Sequence, residues 1–593
     1  MNRTLLRCGA ALAAAVGLGA CDLDVQNPNQ PERTRVRATP ADLESLLGSY
    51  YKRWHDGLYR TLGSVWGMAN VQSFENVSSL SNNCQGQRIG IPRATNDNAV
   101  GNVCEGEQQR VYFVHSEVVR VASDVLSDLA GSTGGTPFTL GSPARDARAQ
   151  SFAEFLRGVS LGYMALIYDS AAVISPTMGT SPEECQPDPI SAVCTGTLRG
   201  YREVMDSALA ALQRSIDFAN TAGSSADGFP LPATWIPGPS TQSMTLTEFI
   251  RVVRSYRARL RANLARTPAE RADISAGGIV DWDAVIADAV NGITASHENV
   301  TNQTTGPFKT WVGQWHTYGL WHQMTPFIIG MADVSGSYAN WIAQPLTQRG
   351  TTGSFFMITP DLRFPQGFDR ASQQADFAVT SCNTANTACK RYFRNRPSGN
   401  DQFAGFGWGW SHYDHSRYHS WSTAGDGTGA QNGRIVFIAK AEIDLLEAEG
   451  QFRKGNYQRA AELVNRTRTA GMVSNVATGG GLPPITAFDP TTPVPGGADC
   501  VPKMPVNASN AGGGTVTCGN LWEALKYEKR LETIQTHFAA WFLDSRGWGD
   551  LAEGTPVHWP VPYQDLQARS KAVYSTGVGT QGGAAAGPSS YGW

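Results

Sequence analysis

The chain has no strong charge of either sign. Lys and Arg number 48 against 51 Asp and Glu, a net charge of −3 over 593 residues. A nucleic-acid binder would carry a clear basic excess, so that class is excluded. Charged residues make up only 17% of the chain, while Gly (63) and Trp (16) are plentiful, a balance that suits an exported protein with long ordered loops. Cysteines at zinc-finger spacing are also missing. Outside Cys8 and Cys21 the cysteines fall into neighbouring couples, Cys84 with Cys104, Cys185 with Cys194, Cys382 with Cys389, and Cys500 with Cys518. None has a two-to-four-residue gap, and no His pair completes a site. Four local disulfides pinning four Gly-, Asn-, Pro- or Thr-rich loops are expected instead, with free thiols as the alternative.

Long hydrophobic runs are lacking too. The most apolar stretch, Cys8 to Ala20, is shorter than the ~20 residues a bilayer span needs. It follows Arg3 and Arg7 and ends in Leu18-Gly-Ala-Cys21, so it reads as a secretory signal. The Cys at the cut resembles the lipobox of bacterial lipoproteins, in which that Cys is acylated and becomes the new N-terminus. An ordinary signal cut near Ala20 is the alternative. Residues 1–20 are thus expected to be a signal peptide and the polar, turn-rich residues 21–40 a lipid-anchored tether.

What the chain has in abundance is helical periodicity. Apolar residues at 43, 46, 47, 50, 51 and 54 mark one helix face. The same pattern recurs over 111–129, 152–168, 201–218, 249–264 and 282–293, which makes 41–295 an N-terminal helical scaffold. Between about 296 and 433 the period breaks into a loop-rich, aromatic subdomain. Helix is expected again over 434–452, then over 457–470 with Gly471 as its C-cap, the two joined by a turn at Lys454-Gly-Asn456. Such hairpins cannot bury their apolar faces alone, and their repetition points to a tetratricopeptide-like scaffold. A closing helix over 521–543 ends a C-terminal unit, 434–569, interrupted by an insertion at 474–519. Residues 570–593 read as a flexible tail. The fold class expected is mostly α, a helical-hairpin scaffold with long, disulfide-pinned, loop-rich insertions.

Two motifs are set aside. Gly158-Val-Ser-Leu-Gly162 matches the Gly-x-Ser-x-Gly elbow as a string, but that elbow needs a strand-to-helix turn and these residues continue a helix. Small residues there would serve close helix packing. His412, His415 and His419 with Asp414 could face a metal only on a helix, which Gly405 to Gly409 argue against. No metal or cofactor is expected.

The candidate site lies in the loops. Trp311, Trp315, Trp321, Trp341, Trp408, Trp410, Tyr413 and Trp421 are dense in a stretch without regular period. Flat rings suit the apolar C–H faces of a sugar, and rings in a loop-built concavity are a normal binding-site composition. Packing of the loops onto the scaffold is the competing reading, since Trp is well buried on average. Trp54, Tyr163, Trp282, Trp541 and Trp548 fall on helix patterns and read as core. A glycoside hydrolase would need paired carboxylates ~5–9.5 Å apart. The region 300–430 has no Glu, only scattered Asp at 333, 361, 369, 376, 401, 414 and 426.

Five blocks, in order, resemble the SusD/RagB family of outer-membrane nutrient-binding lipoproteins. They are Cys21-Asp-Leu-Asp-Val-Gln-Asn-Pro-Asn29, Ala153-Glu-Phe-Leu-Arg157 through Tyr163 to Asp169, and Tyr201-Arg-Glu-Val-Met-Asp206 to Leu212. The fourth runs from Ala439-Lys-Ala-Glu-Ile443 to Val464-Asn-Arg-Thr-Arg-Thr-Ala-Gly471. The fifth runs from Tyr527-Glu-Lys-Arg-Leu-Glu532 through Arg546-Gly-Trp-Gly-Asp550 to Pro560-Val-Pro562. The chain departs from the family around Thr536-His537 and lacks a terminal Asn after Pro562, as a divergent member would. The resemblance implies a lipid-anchored outer-membrane protein, acylated at Cys21 and facing the cell surface. It would bind a nutrient, expected to be an oligosaccharide, and deliver it to a SusC-like TonB-dependent transporter with no catalytic residue of its own. The rival classes are an extracellular carbohydrate-active hydrolase and a structural or adhesive surface protein.

Overall fold

The computed structural model describes residues 39–59, 65–78, 90–131, 137–177, 196–236, 243–302, 322–345, 348–349, 355–377, 389–396, 411–416, 432–506, 514–536, 538–580 and 583–593. The chain divides into residues 1–46 and residues 47–593. In the first unit the Thr39 hydroxyl accepts from the Asp42 N–H at 3.2 Å, a local cap at a helix start.

Helices dominate the described residues. In chain order they are α1 (Pro40–Tyr59), α2 (Val65–Gln72), α3 (Glu105–Ala130), α4 (Pro143–Ile167), α5 (Tyr201–Ala222), α6 (Leu246–Ala262), α7 (Pro268–Ala272) and α8 (Trp282–Val290). There follow α9 (Pro326–Ile329), α10 (Ser337–Ile342), α11 (Arg370–Asp376), α12 (Lys440–Arg453), α13 (Tyr457–Arg468), α14 (Leu521–Thr533), α15 (Ala540–Trp548) and α16 (Tyr563–Ala568). Their neighbours run α3 on α4, α4 on α5, α5 on α6, α6 on α8, α8 on α12, and α12 on α13 and α14. This is the tetratricopeptide-like succession of hairpins that the periodicity predicts.

Local chemistry sets the helix starts. Ser142 accepts from the Arg145 N–H with Pro143 at the first helical position. Thr245 and Glu248 form a capping box at α6, and Asn456 and Asn520 cap α13 and α14. Helix α4 is buried from Ser151 to Ile167 and is the axis of the scaffold. A Cβ on Gly158 would stand 2.6 Å from Leu212 of α5, and one on Gly162 would stand 2.5 Å from Leu260 of α6. The Gly-x-Ser-x-Gly string is therefore a helix-packing device and not a nucleophile elbow.

Strands among the described residues are short and occur as two-stranded sheets. In chain order they are β1 (Val77–Ser78), β2 (Ser170–Ala172), β3 (Leu198–Gly200), β4 (His297–Asn302), β5 (His322–Gln323), β6 (Phe393–Asn395), β7 (Tyr413–His415), β8 (Asn432–Ile438), β9 (Met472–Val473), β10 (Val476–Ala477), β11 (Lys503–Val506) and β12 (Thr515–Cys518). The longest pair is β4 (His297–Asn302) with β8 (Asn432–Ile438), antiparallel, with Glu298 opposite Val436. The stretch read as the start of a helix at 434 is thus strand as far as Ile438. Ile435, Val436 and Ile438 are β-branched and gain a partner in β4, which outweighs the apparent helical period. Two further boundaries move. Helix α13 ends with Thr469 as C-cap, two residues before Gly471. The single helix expected over 521–543 is two, broken where Gln535 and Ala539 take positive φ of 53° and 56°. The insertion 474–519 closes on itself through β11 (Lys503–Val506) and β12 (Thr515–Cys518), with Cys500 bridged to Cys518 at a Cα separation of 5.8 Å.

The tail expectation is corrected. Tyr591 and Trp593 are buried, and the Trp593 ring packs on Phe327 at 4.9 Å and Phe74 at 6.1 Å. Tyr591 accepts from Arg530 at 2.9 Å. A Gly/Ala/Ser-rich segment has no period to read, and its two terminal rings carry the attachment. Trp54, Tyr163, Trp282, Trp541 and Trp548 are all buried, as expected of core residues.

Charges hold the helices to one another inside this core. Arg259 of α6 pairs with Glu442 of α12 at 2.7 and 2.6 Å. Arg271 of α7 forks onto Glu449 of α12 at 2.7 Å through two nitrogens and reaches Asp544 of α15 at 2.9 Å. Lys529 of α14 meets the same Asp544 at 2.8 Å. Burial alone would raise the Glu449 carboxyl, yet Arg271, Arg453 and Lys529 hold it well below the usual carboxylate range. Removing one partner of such a buried cluster costs about 3–5 kcal/mol. Arg271→Met should therefore lower unfolding stability by about that much in urea denaturation. A loss below about 1 kcal/mol would mean that Lys529 and Arg453 compensate the two carboxylates unaided.

Candidate functional site

The irregular region is organised by one small sheet. Strand β6 (Phe393–Asn395) lies antiparallel to β7 (Tyr413–His415), with Arg394 opposite Asp414. Backbone bonds extend it at both ends, Arg396 N–H to His412 O at 2.7 Å and Ser416 N–H to Tyr392 O at 2.6 Å. Strand β5 (His322–Gln323), itself paired with β1 (Val77–Ser78), runs on into Met324, whose N–H donates to Tyr413 O at 2.8 Å. Phe355 bridges Ser411. Residues 322, 355, 396, 411 and 416 are where the segments 303–321, 350–354, 397–410 and 417–431 enter or leave the described structure. All five positions meet at this sheet.

Its underside is apolar and tightly tied. Phe393 stacks on Phe364 with centroids 4.3 Å apart. The Tyr413 hydroxyl donates to Gln373 Oε1 at 2.7 Å and accepts from the Met357 N–H at 3.2 Å. Burial pushes that phenol well above its ordinary pKa. Gln373, on α11, also donates to Met357 O at 2.9 Å and accepts from Asn395 at 3.1 Å. Arg370 and Gln374 of the same helix both donate to Arg396 O, where 397–410 begins. Just before α11, Phe368 stands 85% exposed in a turn whose Gly367 has φ of 144° and whose Asp369 caps Ser372 at 2.7 Å.

Two of the eight predicted ligand aromatics lie in the described structure, and both are interior. Tyr413 is fully buried in the sheet's underside. Trp341 is 5% exposed, with its ring edge-on to Phe327 at 4.8 Å and its indole N–H on Arg349 O at 3.1 Å. Their place as ligand contacts is corrected to packing, because each polar atom is spent inside the core. Trp311, Trp315, Trp321, Trp408, Trp410 and Trp421 lie outside the described residues, as do Cys21, Cys84, Cys185, Cys194, Cys382 and His419. Cys104 and Cys389 are each disulfide-bonded. His412 and His415 do not share a helix face, since 413–415 is strand and an odd offset puts them on opposite sides.

The acidic residues of the region have structural duties. Asp333 accepts from the N–H groups of Ser335, Tyr338 and Ile358 at 3.0, 2.9 and 3.2 Å. Asp361 holds Arg363 at 2.8 Å and the Tyr527 hydroxyl at 2.8 Å. Asp369 is the cap of α11, Asp376 meets Lys390 at 2.6 Å and Arg391 at 2.9 Å, and Asp414 takes Arg394 at 2.7 and 3.0 Å. Asp401 and Asp426 lie outside the described residues. The sequence reading missed Gln373 and Arg370 because a seven-residue helix is too short to show a period. The one readable signal was the Asp369-to-Ser372 capping spacing.

A second concavity of about 390 Å³ opens on the scaffold, lined by Asp169, Ser170, Arg199, Lys571 and Tyr574. Burial raises the Asp169 carboxyl against the pull of the Tyr574 hydroxyl, at 2.6 and 2.7 Å, and of Arg266. A third of its wall, Lys571, Ala572 and Tyr574, comes from the segment read from sequence as a tail.

Tyr413→Phe should cost about 1–3 kcal/mol, the price of leaving the buried Met357 N–H unpaired. Thermal unfolding checks this, with far-ultraviolet circular dichroism unchanged. No loss of melting temperature would show that the hydroxyl does not tie the sheet to α11.

No family model matches the chain, and no curated protein does. Among solved structures it is similar to a SusD-like protein from Bacteroides fragilis NCTC 9343, at 12% identity and a TM-score of 0.47, over 93% of this chain and 98% of that one. A SusD/RagB family protein from Bacteroides thetaiotaomicron VPI-5482 gives 9% identity and 0.46, over 89% and 94%. A SusD-like carbohydrate binding protein from Bacteroides vulgatus ATCC 8482 gives 14% identity and 0.41, over 87% and 86%. The chain is thus similar to SusD-like structures along most of its length, with at most 14% of residues shared with these three.

Proposed function

We propose that this protein is a lipid-anchored binding protein of the SusD/RagB type. Acylated at Cys21, it captures an oligosaccharide above the β6–β7 sheet and passes it unchanged to a SusC-like TonB-dependent transporter. The observation that carries this reading is the convergence of four segments on one small sheet. Trp311, Trp315, Trp321, Trp408, Trp410 and Trp421 belong to three of the segments whose ends join that sheet. Phe368 is exposed two residues before Arg370, which donates to Arg396 O at the end of the sheet. The five described Asp of the region bind backbone amides or cations, which leaves no pair among them poised for glycoside hydrolysis. No helix among the described residues is long and apolar enough to cross a membrane, so attachment through an acylated Cys21 supplies what the fold does not.

Calorimetric titration with a panel of neutral and acidic oligosaccharides tests the reading. Trp315→Ala, Trp410→Ala and Phe368→Ala should each weaken binding at least tenfold, or about 1.4 kcal/mol, with melting unchanged. Absence of binding across the panel, or product formation from any member, would overturn it. The anchor is checked separately. Intact mass of detergent-extracted protein should show a chain starting at an acylated Cys21, and Cys21→Ala should release it from membranes.

A further inference from the structure

Away from that face, α6 and α8 meet in an arrangement of charge that the binding role does not explain. Asp288, in the last turn of α8, is buried with its side chain 2% exposed. Three guanidinium groups of α6 surround it. Arg257 Nε donates to Asp288 Oδ2 at 3.0 Å, Arg254 approaches Oδ1 at 3.4 Å, and Arg261 Nε approaches Oδ2 at 3.4 Å. The spacing of 254, 257 and 261 places them on one helix face.

Charge does not balance here. Three cations face one carboxylate, and the C-terminal end of α8 adds only about half a negative charge. The surplus is roughly one and a half positive charges in a partly buried patch. Three acids on α5 and α12, helices that pack against α6 or α8, have other partners. Asp217 accepts from Gln213 at 2.8 Å, Glu442 belongs to Arg259, and Asp444 holds Lys440 and Arg466. Donors are in surplus as well. Arg257 spends a second nitrogen on Gln213 at 2.5 Å, but the Arg261 Nε–H is buried and makes no hydrogen bond. The side chains of Arg254 and Arg261 remain 32% and 19% exposed, so the cluster opens to solvent. Burial pulls the Arg257 pKa down, Asp288 opposes it, and the like charges of Arg261 and Arg254 add to the lowering. An anion with several acceptor oxygens would satisfy both the charge and the donors, and guanidinium forks match such oxygens in pairs.

We propose that the Arg254, Arg257 and Arg261 cluster around Asp288 binds a doubly charged oxyanion of the sulfate or phosphate class, free or carried as an ester on a glycan. The site is separate from the β6–β7 face and does not depend on the oligosaccharide reading.

Titration calorimetry at fixed ionic strength in chloride, with sodium sulfate, sodium phosphate and a heparin-derived tetrasaccharide as probes, tests it. The wild type should take up at least one of these probes at one per chain. Uptake of the inorganic ions indicates a free ligand, and uptake of the tetrasaccharide alone indicates an ester-borne one. The double variant Arg254→Gln/Arg261→Gln should bind at least tenfold more weakly. Asp288→Asn removes the one opposing charge and should bind more tightly. Should Asp288→Asn fail to fold, the double variant decides alone, since both of its positions are partly exposed. No uptake of any probe by the wild type, undiminished uptake by the double variant, or unchanged or weaker uptake by folded Asp288→Asn would overturn the proposal.

Discussion

Helix α14 carries Lys526, Glu528, Lys529, Arg530 and Glu532, and every one of these side chains is buried. A charge in a low-dielectric interior is tolerated only beside its partner, so α14 has few acceptable positions. Lys526 and Arg530 must meet Asp550, Lys529 must meet Asp544, and Glu528 and Glu532 must meet Arg363. Those partners come from α15, from the turn just after it, and from the loop region more than 150 residues earlier. Apolar burial would supply as much stability with less constraint. The ion pairs add a defined register, because a slip by one turn strands several charges at once.

The scaffold was legible because helical period is a local property. From residue 40 to residue 293 the apolar spacing gave each long helix, although α4 begins at Pro143, nine residues before the position at which its pattern is read. The β8 strand was not legible, since its partner β4 lies more than 130 residues away and no local signal records such a pairing. The break between α14 and α15 was hidden for a related reason. Gln535 and Ala539 are not residues that announce a left-handed backbone, and the pattern of apolar residues continues across them.

The candidate site was legible in composition and not in detail. A density of rings marks a region where rings matter, but it does not sort those that face inward from those that do not. Tyr413 and Trp341 illustrate the difference. Each has a polar atom that finds a backbone or amide partner in the core, and such partners come from Met357, Gln373 and Arg349, residues with no sequence signature of their own. The resemblance blocks behave in the opposite way. The four blocks within the described residues fall mainly on α4, α5, α12, α13, α14 and α15, so the residues that carry the resemblance there are those that pair and pack the scaffold.

The meeting of five segment ends on a sheet of two three-residue strands has an evolutionary corollary. The sheet is fixed by Tyr413, Gln373 and the Arg394–Asp414 pair, none of which lies in the segments themselves. Doubling the length of a segment between fixed ends costs only about 0.6 kcal/mol in closure entropy. A change of length between such fixed ends is therefore a small term beside the ties of the frame itself. Descendants of this chain would keep the frame by keeping Tyr413, Gln373, Arg394 and Asp414, whatever sequence joins its ends.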